Sequence, residues 1–209
     1  MQLSWQRAKK NEADILVGNN KKKDIAQILE EYFAAKEPEQ EVPVVSEVID
    51  INHTKEYEDL TIHKVNEHTR AYIKIQDGCN QFCSYCIIPY TRGRIRSKNP
   101  EEVIEEVKNL AAQGYKEIVL TGIHLSSYGK DLGTVTLLDV IKRIQQVEDV
   151  ERIRLGSLEP RIITEEFVKE LVKCDKVCPH FHLSLQSGCD ETLKRMNRKY
   201  TTEEYEEAL

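Results

Sequence analysis

The sequence predicts an α/β fold built on parallel strands, and three observations carry that prediction. Strand-like and helix-like patterns alternate four times after residue 69, polar or glycine residues follow each predicted strand, and the intervening apolar positions repeat at helical spacing. Strands joined through helices run parallel with right-handed crossovers, so the chain forms either an open α/β sheet or part of a (β/α) barrel. At 209 residues with 40% hydrophobic content, it is long enough to bury a core.

Residues 13–18 read as a short buried strand, and a helix follows with Ile25, Ile28, Leu29 and Tyr32 at helical spacing. A lone strand and helix cannot enclose a core, so residues 1–36 read as the remnant of an N-terminal α/β domain that begins upstream of Met1. Residues 37–68 are polar, carry Pro38 and Pro43, and read as a linker with a short strand near 44–51. Residues 69–209 form the main unit, incomplete at its C-terminus. Its first strand, 71–75, delivers a cysteine-rich loop. A helix then opens with Asn99 as N-cap, Pro100 at the first position and an acid at the third, buries Val103, Val107 and Leu110, and stops at Gly114. The second strand is 117–120, followed by a helix bearing Leu137, Leu138, Ile141 and Ile144. The third is 153–155, followed by a helix capped at Thr164 with Phe167, Val168, Leu171 and Val172 inside. The fourth is 181–185, with helical sequence after it.

In either architecture, functional residues gather at the C-terminal ends of the strands. Cys79, Cys83 and Cys86 follow the first, Thr121-Gly122-Ile123-His124 the second, Gly156-Ser157-Leu158-Glu159-Pro160 the third and Gln186-Ser187-Gly188 the fourth. These suit a shared pocket, although turns alone also call for such residues. Three thiolates on one short loop are soft ligands for an iron–sulfur cluster or zinc, and they leave the metal one protein ligand short. An open coordination position is where an exogenous molecule binds and reacts. The alternative is a structural zinc knuckle completed by His68, His124 or a distant cysteine.

The net charge of −6 argues against a protein that coats nucleic acid by bulk charge. Locally, Arg92, Arg94, Arg96 and Lys98 alternate with other residues just after the cysteines, as a phosphate-contacting edge would or as a solvated loop does. Lys21 to Lys23 read as a solvated helix start. No apolar run approaches the roughly 20 residues of a membrane span, so a soluble, cytoplasmic protein without membrane contact is expected. In that compartment six cysteines read as metal ligands or buried small hydrophobes before disulfides.

The cysteine spacing, with Tyr85 just before the last thiol, resembles the signature of the radical S-adenosylmethionine superfamily. The stretches Tyr72 to Cys79, Cys86-Ile87-Ile88-Pro89-Tyr90-Thr91-Arg92-Gly93-Arg94-Ile95-Arg96-Ser97, Leu120 to Gly129, Leu185-Gln186-Ser187-Gly188 and Arg195-Met196-Asn197-Arg198-Lys199-Tyr200 resemble the methylthiotransferase family within it. They are most similar to the branch that adds a methylthio group to carbon 2 of N6-threonylcarbamoyladenosine beside the tRNA anticodon. The resemblance implies a partial, truncated parallel (β/α) barrel of the radical SAM type. It further implies a 4Fe-4S cluster on Cys79, Cys83 and Cys86, with S-adenosylmethionine chelated at the open iron and cleaved to a 5′-deoxyadenosyl radical. Tyr85 would lie near the adenine, Thr121 and Gly122 at the methionine amino group, and Ser157, Glu159 and Gln186 among the polar groups of the pocket. The partners implied are a tRNA substrate and an electron donor.

The family also holds a second cluster on three cysteines of an N-terminal domain, yet no cysteine precedes Cys79 here. That cluster is expected only in a full-length protein, and this chain to hold the radical-generating half. Cys174 and Cys178 follow a predicted helix and read as buried structural cysteines, whereas Cys189 lies just after the fourth strand's loop. Two other readings stand beside this one: a sibling methylthiotransferase acting on isopentenyladenosine or a ribosomal-protein aspartate, and a metal-stabilised nucleic-acid-binding module.

Overall fold

The computed structural model describes residues 13–35, 44–60 and 69–209. His68, the first twelve residues and the remaining parts of the expected linker lie outside them. The principal sheet has four strands, β3 (Arg70–Asp77), β4 (Arg96–Ser97), β5 (Glu117–Gly122) and β6 (Arg152–Leu155), in the order β4-β3-β5-β6. β3, β5 and β6 are parallel, while the short β4 runs antiparallel along the outer edge of β3.

Three helices make the crossovers: α3 (Pro100–Ala112), α4 (Leu137–Ile144) and α5 (Glu165–Leu171). Each start has a side-chain cap that satisfies an orphan N–H, from Asn99, Thr136 and Thr164 respectively, with Thr136 and Asp139 forming a reciprocal capping box. Because strand side chains alternate, Ala71, Ile73 and Ile75, Ile118 and Leu120, and Ile153 and Leu155 share one sheet face. They pack on Val103, Val107, Leu110, Val140, Ile141 and Ile144 in a single core. The opposite face carries Tyr72, Lys74, Val119, Thr121 and Arg154. At its lower end Glu117 is held by Arg154 at 2.9 Å, Arg152 at 3.1 Å and Arg70 at 3.6 Å.

In two places the structure departs from the periodicity. Residues 181–185 are not a continuous strand. The chain touches β6 at Ile153 with Val177 and beyond it at Leu158 with Leu183, so six residues on one side span five on the other. Pro179 lies in the gap and has no N–H to give a ladder. On α5 only Phe167 and Leu171 are buried, and Val168 and Val172 face outward, the latter 75% exposed.

Residues 13–60 back the first strand and its loop. β1 (Ile15–Val17) pairs in parallel with β2 (Val45–Glu47), joined through α1 (Ile25–Ala35), of which Ile28 and Tyr32 are buried and Ile25 and Leu29 exposed. Much of the segment read as linker is packed. The buried Glu58 carboxylate accepts the backbone N–H groups of Asn20, Lys22 and Lys23 and pairs with Lys22 Nζ at 2.8 Å. Asn19 reaches across to the carbonyl of Thr91 at 2.6 Å, and Tyr57 donates to the carbonyl of Lys74.

Candidate active site

The cysteine loop leaves the C-terminal end of β3 through a bulge between Lys74 and Gln76. The fully buried Gln76 ties the bulge down: its Nε2 donates to the carbonyls of Asp77 and Gly78, and its Oε1 accepts the His124 N–H at 2.7 Å. Gly78 has φ +70°, and a Cβ there would lie 1.9 Å from the Arg94 carbonyl oxygen, so glycine is required where the loop turns. Cys79 N–H then bonds the Gly93 carbonyl, and Cys86 N–H the Cys83 carbonyl. Phe82, between the first two thiols, is in the left-handed region at φ +52°, with its carbonyl bonded by Asn197 Nδ2 at 2.9 Å.

Cys79, Cys83 and Cys86 line one cavity of about 170 Å³ together with Gln81, Tyr85, Ile123, His124, Ser157, Glu159, Gln186 and Arg198. Seven of the nine residues predicted for cluster and cofactor are therefore brought together, from the loop after β3, the end of β6 and the turn after residues 181–185. Thr121 and Gly122 are not among its lining. The Thr121 hydroxyl donates to the Ile73 carbonyl at 3.1 Å, and Gly122 lets Gln76 pass, a Cβ there falling 2.9 Å from the Gln76 side chain. Sequence reasoning left Gln81 and Gln76 unassigned; the strand-end position and the polar residue just before Asp77-Gly78 were their only signals.

Polar side chains link across the mouth. Glu159 is 6% exposed, its carboxylate is bonded by Arg161 Nε at 2.7 Å, and its backbone N–H donates to Ser126 Oγ at 2.8 Å. Arg161 also approaches Gln81, which lies 3.5 Å from His124 Nε2, and His124 Nδ1 meets the Ser127 hydroxyl at 2.6 Å. Burial lowers the His124 pKa, keeping the imidazole neutral. Ser157 pairs with His182 at 2.7 Å in the exposed rim, Gln186 has φ +65°, and Tyr85 stands 55% exposed beside the thiols.

Among the described residues no three His, Cys, Asp or Glu side chains close round a single ion, and both His124 ring nitrogens already have neighbours. An iron–sulfur cluster makes a different demand, one thiolate per iron around a larger body with N–H groups at the sulfurs. The donor set fits it. The Gln81 N–H points to Cys79 Sγ at 3.5 Å, and Arg198 Nη1 lies 3.3 Å from Cys83 Sγ. Burial raises the Cys79 thiol pKa, so metal uptake there must displace protons. Since ligand pockets usually start at about 300 Å³, a nucleoside bound beside the cluster would extend beyond this cavity toward the exposed Ser157 and Gln186.

The basic run divides. Arg94 is exposed and stacks over the Phe82 ring at 4.7 Å, and Arg92 is half-buried 3.5 Å from Asp77. Arg96 is 1% exposed and donates to the Arg94 carbonyl at 2.9 Å, while buried Lys98 pairs with Glu106 and Asp59 at 2.7 Å each. A phosphate contact by Arg96 does not fit that burial; β4 pairing turns it inward. Cys174 belongs to the core, Cys178 is buried, and Cys189 is exposed at the start of α6 (Asp190–Arg195).

The family model of the Radical SAM superfamily matches residues 73–209. Threonylcarbamoyladenosine tRNA methylthiotransferase of Aquifex aeolicus (strain VF5) is 41% identical over 202 residues, 97% of this chain and 48% of that protein. The tRNA-2-methylthio-N6-dimethylallyladenosine synthase of Clostridium botulinum (strain Hall) is 45% identical over 149 residues, 71% of this chain and 33% of that protein. The chain thus spans a third to a half of the length of these relatives. Among solved structures, the cobalamin-dependent S-adenosylmethionine radical enzyme OxsB, with aqua-cobalamin and S-adenosylmethionine bound, superposes with a TM-score of 0.60 at 13% identity, covering 89% of this chain and 29% of that one. That likeness bears on the fold, a curled half-barrel.

Proposed function

Because the chain belongs to the radical S-adenosylmethionine superfamily, we propose that it forms the radical-generating part of a transferase that methylthiolates tRNA, acting on carbon 2 of N6-threonylcarbamoyladenosine. The observation that carries the reading is the convergence of Cys79, Cys83 and Cys86 on one cavity at the strand ends. The similarity to the threonylcarbamoyladenosine enzyme extends over 202 residues and so into the N-terminal segment, whereas that to the dimethylallyladenosine enzyme covers 149; this supports the first substrate.

Cys79, Cys83 and Cys86 would hold a 4Fe-4S cluster, which with S-adenosylmethionine bound would supply one-electron cleavage of the sulfonium, given an electron from an external donor. The chain's own residues orient and shield. Glu159, buried and steadied by Arg161, offers a carboxylate to the cationic cofactor. Tyr85 offers a ring face for an adenine, and Ser157 and Gln186 offer hydrogen bonds at the rim. Neutral His124, clasped by Ser127, adds no competing positive charge. Arg92 and Arg94 meet the tRNA backbone beside the mouth. The protein acts in the cytoplasm, and among the described residues no helix is long and apolar enough to cross a membrane.

The test is nucleoside analysis by mass spectrometry after the full-length protein has acted on two tRNAs, one carrying threonylcarbamoyladenosine and one carrying isopentenyladenosine. A methylthio product on the first and none on the second is expected. Product only on the second would move the assignment to the sibling activity.

A further inference from the structure

Residues 196–198 return to the cysteine loop from far along the chain, and each of the three grips it. Met196 accepts the Ser84 N–H at 3.1 Å, Asn197 donates to the Phe82 carbonyl at 2.9 Å, and Arg198 Nη1 lies 3.3 Å from Cys83 Sγ. Asn197 makes the turn between them at φ +58°, a conformation asparagine tolerates better than most residues. The Arg198 guanidinium lies over the Tyr200 ring at 5.1 Å, and the Tyr200 hydroxyl is anchored on the Ser184 carbonyl at 2.7 Å, so the cation is held from behind.

What sets Arg198 apart from the ion-paired arginines is its lack of a counter-charge beside a cysteine sulfur. Arg154 and Arg161 each pair with a carboxylate, whereas no carboxylate pairs with Arg198 among the described residues. Its Nε, like that of Arg96, is buried without a hydrogen-bond partner, but only at Arg198 does the spare donor accompany one aimed at a cysteine sulfur. A buried, unpaired donor costs free energy unless an acceptor arrives. The thiol of a ligand-bearing loop is where an acceptor of high negative charge would be created, since binding metal turns it into a thiolate.

We propose that Arg198 is a positioning residue that sets the reduction potential of the cluster, by donating a charged hydrogen bond to the sulfur of Cys83. The proposal rests on the reading of this loop as an iron–sulfur site. An electron entering the cluster adds negative charge to its thiolates, and a guanidinium bonded to one of them favours the more negative, reduced form. Arg198 therefore raises the potential and eases reduction by the donor.

The experiment is potentiometry on anaerobically reconstituted protein without S-adenosylmethionine, with the reduced cluster followed by electron paramagnetic resonance. The potential belongs to the loaded fraction, so incomplete loading does not distort it. Arg198→Met is expected to lower the ratio of reduced to oxidised cluster at fixed potential at least tenfold, which is about 59 mV for a one-electron couple. Arg198→Lys should lie between it and wild type. If Arg198→Met holds no cluster, Arg198→Gln, which keeps donors without charge, takes its place. A change of less than threefold on removing the charge would overturn the proposal, as would Arg198→Lys shifting as far as the neutral variant. Weaker S-adenosylmethionine binding with an unmoved potential would also overturn it, assigning Arg198 to the cofactor instead. A wild-type protein that takes up zinc and no labile sulfide would defeat the underlying reading, and it is told apart because no variant would then give a cluster signal.

Discussion

Arg94 and Arg96 are two positions apart and do opposite things. Arg94 is exposed with its guanidinium on Phe82, free to meet a phosphate beside the cavity mouth. Arg96 lies under the loop, where burial lowers its pKa against the pull of the nearby Asp77, and holds the Arg94 carbonyl that Gly78 passes closely. Arg94→Gln in the full-length protein should make the slope of log tRNA affinity against log salt shallower by roughly 0.7 to 0.9, the release expected for one phosphate contact. Arg96→Ala should leave that slope alone. It should instead cost roughly 3 kcal/mol in chemical denaturation, through an emptied buried site and the lost hydrogen bond to the Arg94 carbonyl. If both variants change the slope equally, the division of the basic run is wrong. The difference was invisible in the sequence because an alternating charge run has the same pattern whether or not a neighbouring strand pairs with it. The acids that pair with Arg92 and Lys98, namely Asp77, Asp59 and Glu106, are distributed over 47 positions of chain.

At the level of elements, the three crossover units were legible because each depends on local signals. Asn99, Thr136 and Thr164 cap where an N–H needs an acceptor, and the apolar spacing of Val103, Val107 and Leu110 or of Leu137, Ile141 and Ile144 fixes one buried face. The fourth strand was overread, since a run such as Phe181 to Leu185 does not reveal that Pro179 and one surplus residue interrupt its pairing. The cysteines are marked by their spacing, Tyr85 by resemblance, and Ser157, Glu159 and Gln186 by their place after a strand, and all of them line the cavity; Thr121 and Gly122 also follow a strand, but their atoms face Ile73 and Gln76. Lower on the sheet, Glu117 gathers Arg154 and Arg152 from β6 and Arg70 from β3. The Arg154 hydrogen bond leads in holding its carboxyl below the ordinary value of 4.5, with Arg152 assisting and burial opposing. The stability this group contributes is then fully present above pH 4.5 and is lost as pH falls through the depressed folded value. Glu117→Gln should cost of the order of 1 kcal/mol at pH 7, because the arginines stay partly hydrated. Thermal melts of the two proteins should converge as the pH falls below the ordinary carboxylate range. A gap that stays constant with pH would assign the loss to packing rather than charge.

The molecule as a whole is a half-barrel whose strand ends are open and whose cysteine loop is clasped from three directions. Residues 13–60 brace it from behind through Asn19 and Ile51; the segment 125–131 locks β4 through Ser97 with Asp131 and Tyr128 with the Lys98 carbonyl; and residues 196–198 close over it. Such bracing suits a site that must hold its geometry while an open coordination position accepts a cofactor. The central claim, that Cys79, Cys83 and Cys86 hold a cluster able to cleave S-adenosylmethionine, is tested most directly by one paired assay. Iron, labile sulfide and 5′-deoxyadenosine are measured on anaerobically reconstituted, reduced protein given S-adenosylmethionine, wild type against Cys83→Ala. The account predicts a cluster's complement of iron and sulfide and slow formation of 5′-deoxyadenosine in the wild type, with all three lost in the variant. Stoichiometric zinc without sulfide in the wild type, or an undiminished cluster and product in Cys83→Ala, would contradict it.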